Sequence, residues 1–152
     1  MGRVRVAFAA VCIAAGTALC AWNVQAAEFR TIADSAAVMY DAPSKAATPL
    51  YVASRFYPLE VIVNLDAWVK VRDHTGTLSW VEKKFLTERR MVIITAPNVQ
   101  VRIRAEDAAP MAFQATQNVA LELVEILPAG WLGVRHADGS TGFVKAALVW
   151  GY

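Results

Sequence analysis

The sequence predicts an all-β chain built as two tandem small β-barrels. Three features carry that expectation: an internal repeat, a glycine-closed loop inside each copy, and short β-branched runs divided by Gly and Pro turns. The first copy is Trp68-Val-Lys-Val-Arg-Asp-His-Thr-Gly-Thr-Leu-Ser-Trp-Val81. The second is Trp131-Leu-Gly-Val-Arg-His-Ala-Asp-Gly-Ser-Thr-Gly-Phe-Val144, offset by 63 residues (131 − 68) with no gap. Trp68 maps to Trp131, Val71 to Val134, Arg72 to Arg135, Gly76 to Gly139, Trp80 to Phe143 and Val81 to Val144.

Each copy reads as a hairpin. The loop His74-Thr75-Gly76 puts glycine third, where a three-residue loop needs a left-handed backbone. Ala137-Asp138-Gly139 repeats that chemistry. This loop sets Arg72 opposite Leu78, Lys70 opposite Trp80 and Trp68 opposite Glu82. Strand side chains alternate, so Val69, Val71 and Val81 share one face, and Trp68, Lys70, Arg72 and Trp80 share the other. The valine face is the expected core, and the aromatic face, which carries cations, meets water. In the second copy Phe143 falls opposite Gly133, where a ring can cover bare backbone.

The chain opens on residues 1–26, which read as a signal peptide. Arg3 and Arg5 give a basic start, Val6 to Ala21 is apolar, and Val24-Gln25-Ala26 offers small residues for cleavage after Ala26. The alternative is a retained anchor, for which the apolar run is short. A lipoprotein route through Cys20 is disfavoured by the bulky Leu19 before it. The expected location is periplasmic or secreted, with no membrane span after cleavage. The chain holds 15 Lys+Arg and 13 Asp+Glu, a net of +2. Removing Arg3 and Arg5 leaves 13 against 13, formally neutral, so the basic balance gives no argument for nucleic acid. Cys12 and Cys20 lie in the same segment, which leaves residues 27–152 without a thiol, a disulfide or a cysteine nucleophile.

The first domain is expected over 27–95 and the second over 96–152. Glu28 to Ala37 is a lead-in of mixed character. Val38-Met39-Tyr40 is a short strand, and Pro43 and Pro49 bracket a loop over Ser44 to Thr48. Leu50 to Ser54 is extended, and Leu59 to Asn64 suits a central strand. After the hairpin, Lys83 to Leu86 reads as one helical turn. Met91 to Thr95 is a strong strand that either closes the first unit or opens the second, with Ala96-Pro97-Asn98 as the junction. In the second unit, Val99 to Ile103 aligns with the region of Tyr40, Glu106 to Pro110 forms a loop, and Ala120 to Leu127 aligns with Leu59–Asn64. The hairpin, a short turn at Ala146 to Leu148 and a last strand from Val149 to Tyr152 complete the unit.

This order resembles the bacterial SH3-like (SH3b) domain family, twice over. The resemblance rests on Tyr40 with Pro43, Val61, Val63, Trp68, Val71, Gly76, Trp80, Val81 and Leu86 in the first unit. In the second it rests on Val124, Ile126, Trp131, Val134, Gly139, Gly142, Phe143, Val144 and Leu148. Ser79 replaces the glycine usual before the second aromatic, and the second unit lacks an aromatic at Ile103 and a proline at Glu106. The resemblance implies two tandem small SH3-like β-barrels that serve as non-catalytic envelope modules, binding wall components or proteins.

No catalytic set stands against that reading. His74 and His136 sit in or beside the hairpin loops, where solvated histidines outnumber metal ligands, and no metal is expected. Glu106-Asp107 are sequence neighbours rather than a spaced carboxylate pair. No Gly-rich phosphate loop occurs and no cofactor is expected. The candidate ligand-binding residues are Tyr40, Tyr57, Trp68, Lys70, Arg72, Trp80, Trp131 and Phe143. Flat rings stack on sugars or extended peptides, and the cations meet carboxylates. The structural alternative is that these rings cap the small cores or seal the contact between units. Arg89-Arg90 with Lys83-Lys84 is a basic cluster expected to be solvated. The leading expectation is a module for peptidoglycan or a wall-associated ligand. The alternative is a scaffold docking an envelope protein, and a third is dimerisation through an exposed Met91–Thr95 strand.

Overall fold

In the computed structural model, residues 27–33 and 35–152 are described, so the expected signal peptide lies outside the described residues. The first unit runs β1 (Phe29–Ile32), β2 (Ala37–Tyr40), β3 (Pro49–Ala53), β4 (Pro58–Asn64), β5 (Trp68–Arg72), β6 (Leu78–Glu82) and β7 (Leu86–Thr87). The second runs β8 (Met91–Ile94), β9 (Asn98–Arg102), β10 (Met111–Thr116), β11 (Ala120–Leu127), β12 (Trp131–Arg135), β13 (Thr141–Lys145) and β14 (Val149–Trp150). Single 3₁₀ turns at Lys83–Phe85 and Ala146–Leu148 stand where short turns are expected. Among the described residues no helix is long and apolar enough to cross a membrane.

Both hairpins take the expected register. Trp68 pairs with Glu82, Lys70 with Trp80 and Arg72 with Leu78, and Gly133 pairs with Phe143. Gly76 and Gly139 close the loops at φ 88° and 93°, in the left-handed region. Val69, Val71 and Val81 are buried, joining Ile32, Met39 and Leu59 in the first core. Val134, Val144, Leu121 and Leu132 do the same in the second. Each fully buried aliphatic side chain contributes roughly 1.5–3 kcal/mol relative to exposure.

The strands form two seven-stranded antiparallel sheets, in the orders β3-β2-β6-β5-β4-β1-β7 and β10-β9-β13-β12-β11-β8-β14. The orders are linear, so the expected barrels are corrected to open sheets that curl around their cores. β7 is two residues long and pairs with β1, which leaves β3 and β7 as separate edges.

Two further expectations change. Glu28 to Ala37 is more than a lead-in, because Phe29–Ile32 is a strand between β4 and β7. Its counterpart is Met91–Ile94, which pairs with β11 and β14. The division at Thr95/Ala96 is therefore corrected, since β8 opens the second unit and Ala96-Pro97 lies within it. Met91–Ile94 is also buried along its whole length and paired on both sides, so it offers no exposed edge for a dimer.

The copies run at two offsets. In the N-terminal half of each unit the offset is 62: Tyr40 pairs with Trp80 where Arg102 pairs with Phe143, and the hydrogen bonds Asp41–Thr48 and Ala47–Ser44 recur as Ile103–Pro110 and Ala109–Glu106. In the hairpin it is 63. The extra residue falls in the turn at Pro128–Gly130, where Ala129 adopts φ 59°, ψ 24°. The counterpart of Tyr40 is thus Arg102 rather than Ile103.

The units pack on each other. Phe29 meets Trp150 edge-on, with ring centroids 5.1 Å apart and planes at 89°. The Arg89 guanidinium lies 4.9 Å from the Phe56 ring and 3.4 Å from Glu122, so this arginine contacts both units while staying exposed, as do Lys83, Lys84 and Arg90. A Cβ on Gly151 would stand 2.9 Å from Cβ of Pro58, so glycine allows the close approach. Replacing Ala129 with glycine relieves a left-handed backbone that costs a non-glycine residue about 1 kcal/mol. Ala129→Gly is expected to raise the free energy of unfolding by roughly that amount in a urea titration. An unchanged or lower midpoint would show that the turn carries no such strain.

Candidate functional site

Strand pairing sets a row of residues across the outer face of the first sheet. Pro49, Tyr40, Trp80, Lys70 and Val63 stand side by side on β3, β2, β6, β5 and β4. Tyr40 and Trp68 meet edge-on, centroids 5.5 Å apart at 85°, and Lys70 Nζ lies 5.9 Å from the centre of the Trp80 ring. All four side chains are half-buried, fixed at their bases with part of each surface open. Val38 and Val52 pair beside this row, and Val52 is 63% exposed. Glu82 sits between Lys84 at 3.1 Å and Lys45 at 3.5 Å. The result is an aromatic and aliphatic face edged with lysines, a surface suited to stacking on a flat or extended ligand.

The structure gathers four of the eight predicted residues: Tyr40, Trp68, Lys70 and Trp80. Arg72 turns away into a two-pronged pair with Glu60, at 2.9 and 3.1 Å. Tyr57 packs against the first core, and its hydroxyl meets Nδ1 of His74. Trp131, the repeat of Trp68, is only 8% exposed and lies beneath Lys145, whose Nζ is 5.6 Å from its centre. Phe143 lines a groove of about 380 Å³ with Ile103, Val124, Glu125 and Gly133. The corresponding row of the second sheet is Met111, Arg102, Phe143, Gly133 and Glu125, so an arginine stands in the place of Tyr40 and a glutamate in that of Val63.

Sequence reasoning missed a hydrogen-bonded cluster at the first hairpin loop. Asp73 is buried, and its Oδ1 accepts from the amides of Thr75 and Thr77 and from the Thr75 hydroxyl, at 2.9, 3.0 and 2.6 Å. The Tyr51 hydroxyl donates to Oδ2 at 3.1 Å and lies 3.3 Å from the Ser79 hydroxyl. Burial works to raise the Asp73 pKa, but the bonds from Thr75, Thr77 and Tyr51 outweigh it and hold the carboxyl below its ordinary value. Burial first, then the charge of Asp73, pushes the Tyr57 phenol up to about 12. His74, expected to be solvated, is instead half-buried against Tyr57. Its counterpart loop holds His136 3.0 Å from Asp138. The one sequence signal for this cluster is Ser79 in place of glycine. In the second copy Tyr51, Asp73 and Ser79 become Phe113, His136 and Gly142, and the hydroxyls disappear together.

A model of the bacterial SH3 domain matches the chain twice, over residues 33–88 and 95–151. Among solved structures, the chain is similar to NlpC2 from Trichomonas vaginalis at 12% identity and a TM-score of 0.39, covering 84% of this chain and 49% of that one. NlpC1 from the same organism gives 12% and 0.39, over 87% and 48%. An NlpC/P60 family protein from Bacillus cereus gives 17% and 0.37, over 82% and 56%. The chain therefore spans about half the length of these structures. No curated protein matches it.

The Asp73 cluster makes stability depend on pH. Its carboxyl is held below its ordinary value in the folded chain, so the unfolded chain binds the proton more readily. The stability it contributes is complete above the ordinary carboxylate pKa, about 4, and is lost as pH falls through the lower folded value. Asp73→Asn is expected to cost about 1–3 kcal/mol at pH 7, with the difference from wild type shrinking near pH 3. Urea unfolding at both pH values measures this, and a constant difference would remove Asp73 from the acid response.

Proposed function

Because the chain belongs to the bacterial SH3 domain family, we propose that it is a non-catalytic cell-envelope module that binds peptidoglycan or a wall-associated ligand. The observation that carries the reading is the outer face of the first unit. Tyr40, Trp68 and Trp80 are half-exposed on one sheet face with Lys70 among them. Rings held in place by packing lose little freedom when a sugar or extended peptide stacks on them. Lys70, Lys45 and Lys84 give that surface cations for carboxylates on the ligand. The second unit lacks this face, since Trp131 is buried and Arg102 stands where Tyr40 stands in the first.

Export follows from the same reading: the leader over residues 1–26 is removed after Ala26, and the module acts in the periplasm or outside the cell. Intact mass of the exported protein should then correspond to a chain beginning at Ala27. A mass that retains residues 1–26 would turn the reading to a tethered module.

Co-sedimentation with purified sacculi tests the binding face. Wild-type protein is expected in the pellet. Trp68→Ala, shown folded by circular dichroism, is expected to bind about tenfold more weakly, the usual cost of truncating a central aromatic anchor. Lys70→Ala should weaken binding less. No sedimentation of the wild type would overturn the wall-binding reading and favour capture of an envelope protein by the same face.

A further inference from the structure

The two copies build the same corner with opposite charge. In the first unit, Lys45 on the loop after β2 reaches Glu82 on β6 at 3.5 Å, beside Trp68. In the second, Asp107 on the matching loop pairs with Lys145 on β13, beside Trp131. The polarity of the ion pair is reversed while its place in the fold is kept. Around it, Val38 becomes Gln100 and Tyr40 becomes Arg102. Asn98, Gln100, Arg102, Asp107, Trp131 and Lys145 line a recess of about 260 Å³, close to the space filled by one sugar ring with its substituents.

Arg102 gives this recess its chemistry. It is half-buried, and one guanidinium nitrogen donates to the carbonyl of Ala109 at 3.1 Å. Among the described residues no carboxylate stands within ion-pair distance of it, unlike Arg30, Arg72, Arg89, Arg104 and Arg135. A half-buried guanidinium without a counter-charge favours an anion, and its planar fork matches a carboxylate. Lys145 supplies a second cation across the same opening. Its present partner, Asp107, has a side chain 77% exposed on a loop, so a ligand carboxylate can replace it at small cost. Gln100 and Asn98 offer amides that both donate and accept, the requirement for sugar hydroxyls. Trp131 forms the floor, and displacing Lys145 toward a ligand uncovers more of its ring.

We propose that this corner of the second unit is a separate site for a carboxylated saccharide, read by Arg102 and Lys145 and independent of the aromatic face of the first unit. Asp107 occupies part of it as an internal competitor for Lys145.

The probe is a tetrasaccharide of alternating glucuronic acid and N-acetylglucosamine, set against neutral chitotetraose and followed by NMR shifts of the Trp131 indole and the Arg102 amide. The charged sugar should move both signals, with affinity falling as salt is raised, and the neutral sugar should bind at least tenfold more weakly. Arg102→Gln and Lys145→Gln should each raise Kd about tenfold, the loss of one charge-assisted contact. Asp107→Asn should lower Kd several-fold by freeing Lys145, an effect that loss of a purely structural ion pair would not give. Trp68→Ala should leave all of these values unchanged. Equal affinity for both sugars would overturn the proposal. So would weaker binding by Asp107→Asn, or shifts caused equally by a glutamate-rich peptide.

Discussion

A three-residue loop that closes on a left-handed glycine fixes β5 against β6, and almost everything else in the first unit follows from that register. A slip of one residue would exchange the two faces of the strands. Val69, Val71 and Val81 would turn into water, and Trp68, Lys70 and Trp80 would turn toward the core. The cost of the first change alone is several buried side chains at roughly 1.5–3 kcal/mol each, enough to reject the alternative. The glycine, at φ 88°, lets the loop close without the Cβ strain of another residue. The same device at Gly139 holds the second unit, so two outer faces of very different chemistry stand on one backbone plan.

The differences between the copies come in coupled sets. The pair Lys45 and Glu82 becomes Asp107 and Lys145 as a unit. Tyr51, Asp73 and Ser79 become Phe113, His136 and Gly142 as a unit. In the buried set around Asp73 each member satisfies another, and changing one alone strands a polar group at greater cost than changing all three, whereas the exposed ion pairs exchange sign at little cost. The outer rows differ freely by comparison, because a residue there answers mainly to solvent or ligand. That contrast separates the Asp73 cluster, which holds the fold, from the exposed positions, which are open to recognition.

Alternation and loop chemistry made the hairpins legible in the sequence: register, glycine conformation and the valine face all stand as read. The remainder depended on contacts that periodicity does not encode. Phe29–Ile32 is too short and mixed to announce a strand, and it becomes one because β4 and β7 lie on either side. Met91–Ile94 reads as a strand but carries no label for its sheet. The repeat, aligned without a gap, placed Ile103 against Tyr40, because the one-residue insertion sits in the turn around Ala129 and leaves both hairpins undisturbed. At the candidate site, alternation gave the face of Trp68, Lys70 and Trp80, but face is not neighbourhood. Arg72 shares that face and is taken by Glu60. Tyr51 reaches Asp73 and Ser79 across 22 and 28 residues, beyond any local pattern.

Charge balance constrains how either unit can recognise anything. Residues 27–152 carry 13 Lys+Arg and 13 Asp+Glu (15 − 2 and 13), so this stretch exerts little long-range pull on a charged polymer. At physiological ionic strength the field of a surface charge fades within about 8 Å, roughly the breadth of one sugar ring. Selection must therefore occur in contact. In the first unit the proposed contact is made by rings braced in place, Tyr40 against Trp68 and Trp80 beneath Lys70, whose apolar surface attracts a ligand without long-range charge. In the second, the proposed contact is a half-buried arginine with no carboxylate partner among the described residues, where the surrounding protein screens less than water does. Packing of Phe29 on Trp150 and of Arg89 on Phe56 then joins the two kinds of surface in one body. A polymer that carries both rings and carboxylates could engage both at once, with the second contact made at the effective concentration set by the first.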